Sequence, residues 1–104
     1  MGIGIDLVLI SRFVNKQELA ERVLSKKEYA LYLNHPHPEQ FAAGRFAAKE
    51  AFIKAYDDEE KRIPFQEIEI LPSETGKPWL HYGESVYAVS IAHDGDYAVA
   101  VVII

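Results

Sequence analysis

The stretch Gly44-Arg45-Phe46-Ala47-Ala48-Lys49-Glu50-Ala51-Phe52-Ile53-Lys54-Ala55 constrains the fold more than any other part of the chain. Its apolar residues recur at helical spacing. Its small residues, Gly44, Ala47, Ala48, Ala51 and Ala55, allow another element to approach closely. The pattern predicts a helix that opens at Pro38, a residue suited to a first helical turn, and runs to about Tyr56. Four charged residues interrupt the apolar frame. Arg45 and Lys49 are four apart, as are Glu50 and Lys54, so each pair occupies one helical stripe. Concentrated positive charge around one carboxylate suits a polyanion held together with a divalent cation.

The 104 residues predict a single domain, 1–104. A hydrophobic fraction of 49% can build a core, and a domain this small commonly buries more surface by oligomerising. The chain has no cysteine, which excludes disulfides and thiolate metal sites. Met1 to Asp6 has no basic leader, and no apolar run approaches ~18 residues, so a membrane span is not expected. These features predict a soluble cytoplasmic protein. The net charge of −5 argues against a general nucleic-acid binder. Residues 45–54 carry +2 and the remainder −7. Positive charge focused on an acidic body favours a compact anionic ligand over a long phosphate backbone.

Ile3 to Ile10 predicts a first, largely buried strand. Ser11 is a cap for a helix from Arg12 that carries Phe13, Leu19, Val23 and Leu24. Ser25-Lys26-Lys27-Glu28 matches a capping box that opens a further helix, and His35-Pro36-His37-Pro38 ends it. Asp57 to Arg62 is a charged, solvated loop. Phe65 to Leu71 predicts a strand, Pro72 to Pro78 a turn, and Trp79 to Tyr82 a short strand. Val86 to Ala92 and Tyr97 to Ile104 form a hairpin through His93-Asp94-Gly95-Asp96. The last segment is apolar enough to be buried on both sides, partly by another subunit.

Two carboxylates stand out. Asp6 sits in an apolar strand and, if buried, must be paired, hydrated or metal-bound; an edge carboxylate accepting backbone hydrogen bonds is the plainer alternative. Glu50 with Lys54 is, taken alone, an ordinary helical ion pair. Together Asp6 and Glu50 offer the hard oxygen ligands that Mg²⁺ takes when it also binds substrate phosphates. His93, opening a turn, reads most simply as a structural histidine. Gly76-Lys77-Pro78 reads as a hairpin turn whose N–H groups and Lys77 could meet an anion.

Gly4-Ile5-Asp6, Arg45 through Ala55, Gly76-Lys77-Pro78 and Ser90-Ile91-Ala92-His93 occur in an order and spacing that resembles bacterial holo-[acyl-carrier-protein] synthase, the small 4′-phosphopantetheinyl transferase. The resemblance covers almost the whole chain. It implies an α+β subunit of a homotrimer, a small antiparallel sheet packed against a long helix, with active sites between neighbouring subunits. The implied reaction transfers 4′-phosphopantetheine from coenzyme A to a serine of apo acyl carrier protein and releases adenosine 3′,5′-bisphosphate. The implied setting is lipid metabolism, as in fatty acid biosynthesis. A non-catalytic coenzyme A or nucleotide-binding module of the same fold is the alternative.

By the same resemblance, Asp6 and Glu50 match metal ligands for Mg²⁺ and belong with Lys54 to the catalytic set. Lys54 matches a pyrophosphate contact. Arg45, Lys49 and His93 match positions that line the nucleotide site, and Gly76, Lys77 and Pro78 a segment near the adenine. Arg12 matches a basic residue that meets the carrier protein, with Lys16 and Arg22 beside it on electrostatic grounds. The region after Phe13 is abbreviated and less basic than is usual in the family, and Asp94 follows His93 where a neutral residue is common.

Overall fold

The computed structural model describes residues 2–56 and 62–104. The acidic run from Asp57 lies outside them except for Arg62, which is exposed. Strand β1, Ile3–Leu9, leads through a 3₁₀ turn at Ile10–Phe13 into helices α1, Gln17–Val23, and α2, Lys26–Leu33. The long helix α3 spans Pro38–Tyr56. After a 3₁₀ turn at Phe65–Glu67 come β2, Ile68–Pro72, β3, Pro78–Tyr82, β4, Ser85–Asp94, and β5, Tyr97–Ile103. The strands form one antiparallel sheet in the order β1-β5-β4-β3-β2. The expected α+β architecture, a small antiparallel sheet against a long helix, is the one observed.

α3 is buried on most of its circumference because the sheet covers one side and the 3₁₀ turn, α1 and α2 cover another. Its small residues are what allow this. A Cβ at Gly4 would collide with the Ala51 carbonyl oxygen, so β1 lies on α3 at backbone contact distance. Aromatic rings fill the space where the approach is wider. Phe52 packs on Tyr56, Tyr82 and Tyr87 with centroids 5.3–5.4 Å apart, and Phe46 joins Phe13 to Phe65. Gly4→Ala sets a side chain against backbone that cannot rotate away. We expect a loss of about 1–3 kcal/mol, the usual range for overpacking, in urea unfolding. An unchanged midpoint would contradict the close approach.

Several local expectations are corrected. Ser11 caps no helix; it lies inside the 3₁₀ turn, and the chain breaks at Asn15, whose φ of 57° is tolerated by asparagine. Phe65–Glu67 is a 3₁₀ turn, so β2 starts only at Ile68. The β4–β5 turn is two residues, Gly95-Asp96, with Asp94 paired to Tyr97 and Gly95 at φ 56°.

The largest correction concerns β1, expected to be largely buried, and its open face continues onto β5. Each buries one face only within the chain. Ile3, Ile5, Leu7 and Leu9 are exposed, and they pair across the ladder with Ile103, Val101, Val99 and Tyr97 on the same outer face. Among the described residues no second layer covers this apolar outer face. Contiguous exposed apolar surface of this kind marks an interaction face.

Candidate active site

The alternation of β1 sends Gly4, Asp6 and Val8 to the α3 side. Asp6 is thereby held beside the helix by the same glycine contact that brings the backbones together. From α3, Lys54 reaches back to this strand: its Nζ lies 3.0 Å from Asp6 Oδ1 and 3.0 Å from the Ile5 carbonyl oxygen, donating to both. The ion pair of Lys54 is thus with Asp6 and not with Glu50, one turn away on its own helix. The Asp6 side chain is 17% exposed and Lys54 55%, so a shielded carboxylate meets a cation that faces water.

Glu50 completes the cluster electrostatically. Burial, and then the neighbouring negative charge of Asp6, push its carboxyl above the usual glutamate range; Lys54 and Arg12 pull in the opposite direction. No hydrogen bond reaches this carboxylate from the described residues. Two close carboxylates sharing one shielded site repel each other and favour binding a proton or a cation. Arg12, exposed at the end of the 3₁₀ turn, stacks its guanidinium 5.1 Å from the Phe46 ring centre.

Lys49 departs from expectation. It does not line a nucleotide site: its side chain is fully buried and its ammonium is fully used. Nζ donates to Glu28 Oε1 at 2.5 Å, to the Val23 carbonyl at 2.8 Å and to the Phe65 carbonyl at 2.9 Å. Glu28 is equally buried. Its Oε1 also accepts from Ser25 N at 2.9 Å, closing the predicted capping box, and its Oε2 from Ile70 N at 2.9 Å. One buried ion pair thus ties α1, α2, α3 and β2 together. The acid that pairs with Lys49 lies 21 residues earlier in the chain, beyond the reach of helical spacing. A charged residue embedded among Ala47, Ala48 and Ala51 was the available signal.

Arg45, on the same stripe, is held differently. Its guanidinium lies 4.2 Å from the centre of the Phe41 ring, and its Nε is buried with no hydrogen-bond partner among the described residues. Burial lowers its proton affinity, partly opposed by Glu28. It borders a cavity of about 520 Å³ with Leu31, His35, Pro36 and Phe41. A shielded guanidinium with an unused donor is suited to an anion. The two stripes of α3 therefore face different neighbours, Glu50 and Lys54 towards β1, Arg45 and Lys49 towards α2.

His93 lies across the first half of α3. Its Nε2 is 3.1 Å from the Gln40 carbonyl, and a Cβ at Gly44 would come within 3.1 Å of it. Gly76 and Lys77 lie at the surface of the β2–β3 connection and half-buried Pro78 opens β3, with Gly76 at φ 89° and the Lys77 ammonium 4.8 Å from the Trp79 ring centre. That connection is at the opposite end of the sheet order from β1. At a strand spacing of about 4.8 Å, three steps separate β1 from β3 by roughly 14 Å. Within one chain the structure does not bring Lys77 to Asp6. Lys16, at the N-terminus of α1, and Arg22, in its last turn, are exposed on the same N-terminal segment as Arg12.

Residues 2–102 match the family model of the 4′-phosphopantetheinyl transferase superfamily, and the chain belongs to that superfamily. Among curated relatives, holo-[acyl-carrier-protein] synthase of Staphylococcus aureus is 38% identical over 111 residues, which cover 99% of this chain and 93% of the relative. The crystal structure of the Neisseria meningitidis synthase superposes with a TM-score of 0.86 at 31% identity, covering 97% of this chain and 94% of that one. The Bacillus anthracis synthase in complex with CoA (3′,5′-ADP) superposes with a TM-score of 0.84 at 35% identity, covering 97% and 92%. The Helicobacter pylori synthase in complex with coenzyme A gives 0.81 at 32% identity, covering 97% of each.

Proposed function

We infer that this chain is a holo-[acyl-carrier-protein] synthase, transferring 4′-phosphopantetheine from coenzyme A to a serine of apo acyl carrier protein. The observation that carries the reading is the meeting of Asp6, Glu50 and Lys54 at the β1–α3 contact, in a chain similar over its full length to such synthases, two of them solved with coenzyme A or its nucleotide. The serine oxygen forms a new bond to the phosphorus that bears the pantetheine arm. The bond from that phosphorus to the leaving nucleotide phosphate breaks, and adenosine 3′,5′-bisphosphate departs with its electron pair. The serine proton leaves to a base of the site. Glu50 or a water held at the site is the acceptor suited to take it.

The donor set fits Mg²⁺. It is two carboxylates with no histidine or thiol, and no cluster of three or more His, Cys, Asp or Glu side chains occurs among the described residues. That suits an ion bound by one or two carboxylates plus substrate phosphates. Asp6 and Glu50 would hold it, and when bound it neutralises charge on the phosphates during transfer. Lys54 adds a cation one helical turn from Glu50. Arg45, with its unused donor, serves the nucleotide end, His93 approaches the Gln40–Gly44 side of α3 from β4, and Gly76, Lys77 and Pro78 contact the adenine.

The working form is a homotrimer. The exposed apolar face of β1 and β5 supports this, as does the separation of Lys77 from Asp6 within one chain, since a neighbouring copy can present its β2–β3 turn to the Asp6 site. Arg12, Lys16 and Arg22 offer exposed positive charge for an acidic carrier protein. No helix among the described residues is long and apolar enough to cross a membrane, and the proposed place of work is the cytoplasm.

Incubation with coenzyme A, Mg²⁺ and an apo carrier protein tests the reading. A mass gain on the carrier serine is expected, and coenzyme A binding without any gain would favour the non-catalytic module. Lys54→Ala removes an exposed lysine whose ion pair is worth at most ~1 kcal/mol to the fold. We expect coenzyme A affinity to fall with little change in melting temperature. Equal affinity by calorimetry would count against Lys54 as a phosphate contact.

A further inference from the structure

Asp6 Oδ1 already has a close cation. Lys54 holds it at 3.0 Å and is steadied by the Ile5 carbonyl at the same distance. A divalent ion bound by Asp6 and Glu50, as read above, needs the same carboxylate. We propose that Lys54 and the metal compete for Asp6, and that the phosphate of coenzyme A relieves the competition by taking the lysine. Lys54 then exchanges between two partners, and metal and coenzyme A assist each other's binding through it.

The geometry allows the exchange. Lys54 is more than half exposed while Asp6 is shielded, so the ammonium can swing to a new anion without disturbing packing. Glu50 is one turn away on the same stripe and carries no hydrogen bond from the described residues, so it offers oxygens that Lys54 does not occupy. Linkage then requires reciprocity: whatever draws Lys54 off Asp6 tightens metal binding, and metal at Asp6 frees Lys54 for phosphate.

The test measures Mn²⁺ binding to the full chain by electron paramagnetic resonance, with and without coenzyme A; Mn²⁺ accepts the same oxygen donors. Without coenzyme A, Lys54→Met is expected to bind Mn²⁺ about 2- to 5-fold more tightly than the parent, in line with removing one partly shielded ion pair. Arg12→Gln removes a positive charge near Glu50 without touching Asp6, and should change the affinity less than twofold. Coenzyme A should improve Mn²⁺ affinity by a smaller factor in Lys54→Met than in the parent. Unchanged or weaker binding by Lys54→Met overturns the competition, as does equal tightening in Arg12→Gln, which would reduce it to general charge. Asp6→Asn separates the two readings. If it leaves Mn²⁺ affinity unaltered, the metal is not at Asp6 and the metal-site assignment itself fails.

Discussion

Lys49→Met is expected to destabilise the protein by roughly 3–5 kcal/mol, the usual cost of breaking a buried ion pair by removing one partner. Methionine fills much of the lysine volume, so the loss is not mainly a cavity. The cost comes from Glu28, left as a fully buried carboxylate, and from the Val23 and Phe65 carbonyls, left without their donor. Against a total stability of about 5–15 kcal/mol for a domain of this kind, such a loss is large enough to see directly in urea unfolding. Burial lowers the proton affinity of Lys49 while Glu28 opposes the shift, so the pair is held together by mutual need. The double variant Glu28→Gln with Lys49→Met should therefore be more stable than Lys49→Met alone. Glutamine keeps an oxygen for Ser25 N or Ile70 N and carries no charge. A single variant within 1 kcal/mol of the parent, or a double variant worse than the single, would refute this account of the network.

Glu50→Gln should lose transfer and gain stability when metal is absent. Loss of several kcal/mol of charge stabilisation at phosphorus, at about 1.4 kcal/mol per tenfold, predicts a fall in kcat/KM of at least ~100-fold. The stability effect has the opposite sign. Burial, then Asp6, raise the Glu50 carboxyl above its ordinary range, so the folded protein binds that proton more tightly than the unfolded chain. The contribution of Glu50 is fully present below the ordinary glutamate value and is lost as pH rises through the raised one. Glutamine imitates the protonated acid and does not titrate. In metal-free buffer the variant should melt close to the parent at acid pH and above it at neutral pH. Added Mg²⁺ should then stabilise the parent and not the variant. Retained transfer would remove Glu50 from the site, and a variant that melts below the parent at neutral, metal-free pH would refute the electrostatic description.

Much of this site was legible in the residues themselves. Asp6, Glu50 and Lys54 lie in local patterns, an acid within an apolar strand and two charges one helical turn apart, and such patterns survive in one dimension. The capping box of Ser25 and Glu28 was legible for the same reason, since both its hydrogen bonds span three residues. Lys49 was misread because its partner is distant. Helical spacing put it with Arg45 on one stripe, correctly, but which neighbour that stripe faces depends on where α2 and β2 pack. The first strand was misread in the same way: apolar content shows that a face wants cover, not whether the chain itself supplies it.

By itself the sequence determined the helix from Pro38 to Tyr56, the antiparallel strands around the Gly-rich turns, the family, and the two carboxylates with their lysine. All of these follow from periodicity, turn chemistry or motif. Only the tertiary structure decided that Lys54 pairs with Asp6 instead of Glu50, that Lys49 is spent on Glu28, and that the outer face of β1 and β5 is open. The Lys54–Asp6 pair depends on the close approach of α3 to β1, set by the glycine–alanine contact of two backbones 47 positions apart, Gly4 and Ala51. The Lys49–Glu28 pair depends on where α2 and β2 pack on α3, and none of the three follows from spacing along the chain.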